Sequence, residues 1–107
     1  MAKQIKLTFE GKPYVLEYNR KTVELMERQG FVLSDMTERP ATMIPMLFSG
    51  AFFMHHRHLN PSVIDKIFEE LENRSDLISV LANMYSEPIM TLVDDTEKPG
   101  NVSWETV

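Results

Sequence analysis

A chain of 107 residues has room for one hydrophobic core and not for two. Its 43% apolar and 25% charged residues match an ordinary globular domain, and sixteen acidic against eleven basic side chains, net -5, argue against attachment to nucleic acid by phosphate neutralisation. Cysteine is absent, which removes disulfides, thiolate chemistry and Cys-based zinc sites.

Ile5, Leu7 and Phe9 alternate with Lys6, Thr8 and Glu10, the period of a half-buried strand. The chain turns at Glu10-Gly11-Lys12-Pro13 and returns through Tyr14, Leu16 and Tyr18, which predicts a hairpin over 4–18. With Gly11-Lys12 as the loop, Phe9 faces Tyr14, Leu7 faces Leu16 and Ile5 faces Tyr18, while Lys6 meets Glu17 and Thr8 meets Val15 on the other side. Pro13 lacks the N–H for the tightest turn bond, so the loop can open to four residues with the same pairing.

Asn19 is placed to cap a helix over 20–29 that turns Val23 and Met26 inward and carries Glu24 and Arg28 in the favourable i,i+4 order. Gly30 ends it, residues 31–33 pack back, and 34–39 is polar and turn-like. A third segment, 41–58, contains Pro45, which is tolerable only in a first turn. From 46 to 54 it is apolar nearly all round, so it is expected to be the central, most buried helix, with Ser49-Gly50-Ala51 admitting a close neighbour.

Asn60-Pro61 starts a helix over 61–73 whose inward stripe is Ile64, Ile67, Phe68 and Leu71. Ser75-Asp76 opens the last, 76–93, with Leu77, Ile78, Leu81, Met84, Tyr85, Ile89 and Leu92 inward and Pro88 expected to kink it or end its first part near Glu87. Residues 94–107 are polar, contain Pro99-Gly100 and one aromatic, Trp104, and read as an acidic mobile tail. The expected fold is α+β: one domain over 1–93, an N-terminal antiparallel hairpin followed by a bundle of four main helices, then a flexible tail.

The longest apolar run, 43–54, is twelve residues and is interrupted by Pro45, Ser49 and Gly50. A spanning helix needs about 20. The first residues alternate and lack the basic start and apolar block of an export signal, so the expectation is a cytoplasmic protein with no membrane partner. Charge is uneven: residues 1–60 carry net +2 and residues 61–107 net -7, an acidic half that suits solubility or a basic partner.

Chemistry is sparse. His55 and His58, three apart on a predicted helix, could face one metal, but a third ligand is not evident; His55, His56 and His58 otherwise suit the C-terminal end of a buried helix. The four glycines are scattered, no serine sits in a GxSxG elbow, and Glu69-Glu70 read as a solvated face. No catalytic residue, metal or cofactor is expected. A helix pair around 60–73 has the shape of a DNA reader, yet its outer face is acidic.

Eight methionines are many for this length; they either fill gaps in the core or serve a surface that adapts to apolar partners. A small chain can also finish burying such helices in an oligomer. The predicted partner-binding residues are Met46, Leu47, Phe52, Phe53, Met84, Tyr85 and Ile89, on the helices around 46–54 and 77–92, together with the hairpin edge.

The stretches NRKTVELMERQGF (19–31), MIPMLFSGAFFMHHR (43–57), VIDKIFEEL (63–71) and NMYSEPIMTL (83–92) resemble a family of small proteins of tailed phages and prophages of Gram-positive bacteria. Their genes lie in the tail module beside the tape-measure gene, and they are treated as tail assembly chaperones or tail-assembly-chaperone-like proteins. The likeness extends over nearly the whole chain, including the opening hairpin and the NVSWE ending (101–105). It implies a non-enzymatic protein that keeps the apolar, helical tape-measure protein soluble during tail assembly, and that self-associates as a homo-oligomer. It also raises a longer frameshifted form with a junction near Asp94. The rival readings are a structural tail or head–tail component of the virion, and a regulatory or metal-binding protein using the His cluster.

Overall fold

The computed structural model describes residues 4–90, 92, 105 and 106. Two strands, β1 (Ile5–Phe9) and β2 (Lys12–Leu16), form an antiparallel hairpin; α1 (Arg20–Arg28), a 3-10 turn (Leu33–Met36), α2 (Pro40–Phe52), α3 (Pro61–Glu69) and α4 (Arg74–Met90) follow. The architecture is α+β, a hairpin followed by four helices, as the patterning predicts.

The hairpin register differs from the expected one by two residues. Ile5 faces Leu16, Lys6 faces Val15, Leu7 faces Tyr14, Thr8 faces Pro13 and Phe9 faces Lys12. The loop is therefore Glu10-Gly11, with both residues at positive φ, 52° and 79°, the backbone of a tight two-residue hairpin turn. Proline explains the choice. The pair flanking such a loop is hydrogen-bonded and the next is not, so Thr8 and Pro13 face each other where no N–H is required. A shift of two preserves the faces: Ile5, Leu7 and Phe9 still share a side with Tyr14 and Leu16.

Asn19 caps α1, its Oδ1 accepting from the Thr22 N–H at 2.8 Å, and Asn60 caps α3 by accepting from Ser62 N–H at 2.9 Å. Gly30, at φ 99°, turns the chain after α1. Three helix boundaries move. α2 stops at Phe52 and not at 58, because the following residues turn toward β2. α3 stops at Glu69, where Arg74 folds back to donate to the Glu69 carbonyl at 2.9 Å. α4 begins at Arg74 and runs through Pro88 to Met90. Pro88 falls in the last turn and costs one bond to Met84, while Leu81, Met84 and Tyr85, all buried, hold the helix in place. Pro45 also lies deeper than a first turn, since α2 starts at Pro40; it leaves the Ala41 carbonyl without its helical donor.

α2 is the central element, packing against α1, α3, α4, β2 and the 3-10 turn. Met43, Leu47, Phe48, Ala51 and Phe52 supply its buried side. Edge-to-face rings run through the core: Tyr14 of β2 meets Phe52 of α2 at 5.9 Å, Phe48 and Phe52 meet within α2 at 5.0 Å, and Tyr85 of α4 meets both Tyr18 (5.6 Å) and Phe31 (4.8 Å). Gly50 admits α1: a Cβ there would fall 2.4 Å from the Met26 sulfur. Of the predicted tail 94–107, only Glu105 and Thr106 are described; Trp104, the NVSWE residues 101–104 and the end of the predicted helix at Val93 lie outside the described residues. Among the described residues no helix is long and apolar enough to cross a membrane.

Leu81 is wholly buried and Val80 beside it is 40% exposed. Leu81→Ala is expected to cost about 2–5 kcal/mol in urea unfolding, and Val80→Ala under about 0.5 kcal/mol. A Leu81→Ala cost no larger than that of Val80→Ala would contradict the packing of α4.

Candidate interaction site

The chemistry of the chain concentrates where the end of α2 meets the outer edge of β2. Val15 faces Lys6 at a non-bonded position, so its N–H points away from β1. His56 Nε2 accepts it at 3.0 Å. Glu17 donates its N–H to the Ala51 carbonyl at 3.0 Å, and Tyr18 donates its hydroxyl to the Leu47 carbonyl. Gly50 and Phe52, the carbonyls on either side of Ala51, accept from Phe53 and His56. Three of the C-terminal carbonyls that the helix leaves open are thus filled, one of them by the residue after β2.

The Glu17 side chain, only 8% exposed, accepts at Oε1 from both His55 Nε2 (2.7 Å) and Gln4 Nε2 (2.8 Å). These bonds, that from His55 foremost, hold its carboxyl below the ordinary range against the opposing effect of burial. An ionised carboxylate only accepts, so His55 carries a proton on Nε2. His56 is the reverse case. As the acceptor for Val15 it holds its proton on Nδ1, and burial, with His55 second, keeps its pKa below the ordinary value. Burial also pushes the Tyr18 hydroxyl well up, so it stays a donor.

The predicted partner-binding residues divide. Leu47, Phe52, Met84 and Tyr85 are in the core and present no face to a partner in this fold. A stripe at helical spacing marks apolar positions without saying what covers them, and here α2 and α4 cover each other. Met46 and Phe53 are half-buried beside Thr22, Leu25 and Gln29 in a shallow cleft of about 140 Å³ between α1 and α2. Ile89 is 37% exposed. His55 and His58 do not share a helical face, because α2 has ended: His55 binds Glu17, and His58 is exposed. Among the described residues no three His, Asp or Glu side chains are placed to hold a metal ion.

A second feature gathers Phe68 and Ile78 from the expected inward stripes with residues those stripes leave out. Ala41, Ile44 and Pro45 of α2, Phe68 of α3 and Ile78 of α4 line an open groove of about 600 Å³. Arg74 and Ser75 supply its polar rim. The Arg74 guanidinium lies 4.9 Å from the centre of the Phe68 ring, a cation–π contact that fixes one wall. Exposed apolar side chains occur elsewhere too: Val32, Met54, Val80, Met90 and Leu92. Pro45 and Arg74 were readable as a breaker and a charge; that the chain brings them to one groove is a tertiary result. Val15 and Glu17 likewise carry no sequence signal for their partners forty residues on.

The two carboxyl and imidazole sites predict an acid response. His56 binds its proton less readily folded than unfolded, so its contribution is complete above 6.5 and is lost as pH falls below that value. Glu17, with a lowered folded pKa, contributes above 4.5 and loses that contribution as pH falls further. Urea midpoints across pH should therefore decline in two stages. His56→Gln, whose side-chain oxygen can still accept from Val15, should flatten the upper stage; an undiminished decline in that variant would assign it to another group.

Comparison with known proteins finds no match among curated proteins and none among solved structures. One family does match, and it covers residues 1–107. The chain belongs to that family, which is described as a domain of unknown function, DUF5055.

Proposed function

We propose that this protein is a non-enzymatic, tail-assembly-chaperone-like protein of phages and prophages of Gram-positive bacteria. In the host cytoplasm it holds apolar helical segments of the tape-measure protein soluble while the tail is built, and it self-associates. Two things support the reading. The first is the resemblance carried by residues 19–31, 43–57, 63–71 and 83–92. The second, and the observation that carries most weight, is an open apolar groove of about 600 Å³ on a chain of net charge -5. A groove walled by Ile44, Pro45, Phe68 and Ile78 accepts apolar side chains of a helix through burial alone, without a defined sequence. Excess negative charge keeps the complex dispersed. Arg74 at the rim favours a client helix with an acidic residue beside its apolar face.

Co-expression with the tape-measure protein of the same tail module tests this. The soluble fraction of that protein should rise with the wild-type chain, and Ile44→Asp with Ile78→Asp should return it toward the level without a chaperone. Both residues are only half-buried, so helical circular dichroism should survive the changes. Mass spectrometry of purified particles should not find the protein, since a chaperone departs before the virion is complete. No gain in tape-measure solubility, or stoichiometric protein in the particle, would remove the reading.

A further inference from the structure

The two edges of the hairpin differ. On β2 and the residue after it every outward donor is spent: Pro13 has none, Val15 donates to His56 and Glu17 donates to Ala51. On β1, Lys6 and Thr8 lie opposite Val15 and Pro13 at the non-bonded positions, so their N–H and C=O groups point away from β2. Among the described residues neither backbone has a hydrogen-bond partner there. The apolar side chains of the same strand, Ile5, Leu7 and Phe9, are only half-buried. A strand left in this state is a template for another strand.

We propose that its occupant is a second copy of the chain: two β1 strands pair antiparallel about a two-fold axis and join the hairpins into one continuous sheet. The strand is complementary to itself in one register. Lys6 opposite Lys6 would face like charges, and Thr8 opposite Thr8 would draw Glu10, held at φ 52° in the turn, into the ladder. Lys6 opposite Thr8 of the second copy avoids both. It engages the N–H and C=O of both outward residues on each strand and sets Ile5, Leu7 and Phe9 against Phe9, Leu7 and Ile5 of the other. Glu10 of the second copy then lies within diagonal reach of Lys6. The two-fold axis stands perpendicular to the sheet, so both apolar faces stay on the helical side and cover each other's exposed flank. This assignment rests on the self-association proposed above and gives it a surface, and it holds whether or not the tape-measure protein is the client.

Light scattering of the full chain across a concentration series, with amide exchange by NMR, tests the pairing. The wild-type chain should be a dimer whose Lys6 and Thr8 amides gain protection as concentration rises, while Val15 protection is unchanged. Thr8→Pro removes an outward N–H without disturbing a bond to β2, because Thr8 faces Pro13. It should be monomeric with unaltered helical circular dichroism. If Thr8→Pro fails to fold, concentration-dependent exchange at Lys6 and Thr8 of the wild-type chain decides alone. A wild-type monomer at every concentration, a dimer whose Lys6 and Thr8 amides exchange freely, or a folded Thr8→Pro dimer of undiminished affinity would each overturn the proposal.

Discussion

The hydrogen bonds from Val15, Glu17 and Tyr18, at and just after the end of β2, to α2 and the residues that follow it fix the rest of the architecture. Tyr18, Glu17 and Val15 meet α2 and its exit at Leu47, Ala51 and His56, so the strand descends along one line of the helix as the helix ascends. A two-stranded hairpin is marginal in water by itself. Here it is held by one backbone bond to a helix, from Glu17 to Ala51, by the side-chain bonds of Tyr18 and His56, and by the Tyr14–Phe52 contact. The same bonds decide where α2 stops. Its Ala51 carbonyl is taken by Glu17, and the chain beyond Phe52 turns to bring His55 to the Glu17 carboxylate and His56 to the Val15 amide.

That constraint divides the apolar side chains of the protein between stability and contact. With α2 central, its residues Met43, Leu47, Phe48, Ala51 and Phe52 go to the core, together with Leu81, Met84 and Tyr85 of α4. Surface capacity falls to positions outside that line: the groove beside Ile44, Pro45 and Phe68, the cleft at Met46 and Phe53, and the outer edge of β1, which has no partner among the described residues. Methionine serves both ends. Met26, Met43 and Met84 are buried, Met26 filling the space that Gly50 leaves, whereas Met54 and Met90 are exposed.

The hairpin shows how far patterning reaches. Alternation identified which residues share a face and survives a shift of two, because side chains repeat every second residue. It left the register open, and the turn backbone with Pro13 at a non-bonded position settled it. The helices behave alike. Asn19 and Asn60 mark their starts locally, since a cap bonds within three residues of itself. The ends of α2 and α3 were overestimated because they are set by partners distant in the chain or by the turn that follows, as at Glu17 and Arg74.

By itself the sequence determined the fold class, the order of the elements, the Asn19 and Asn60 caps, most of the inward faces and the negative charge, all consequences of composition and of periods a few residues long. Ser75-Asp76, expected to open the last helix, lie inside it, and Ile89 and Leu92, expected inward on it, are exposed because none of the described residues packs over its end. Only the tertiary structure decided which apolar residues remain at the surface, which strand edge is closed, and that two adjacent histidines take opposite hydrogen-bonding roles. Those outcomes depend on which atoms meet across tens of residues, and burial and bond geometry at such contacts have no local periodicity from which to be read.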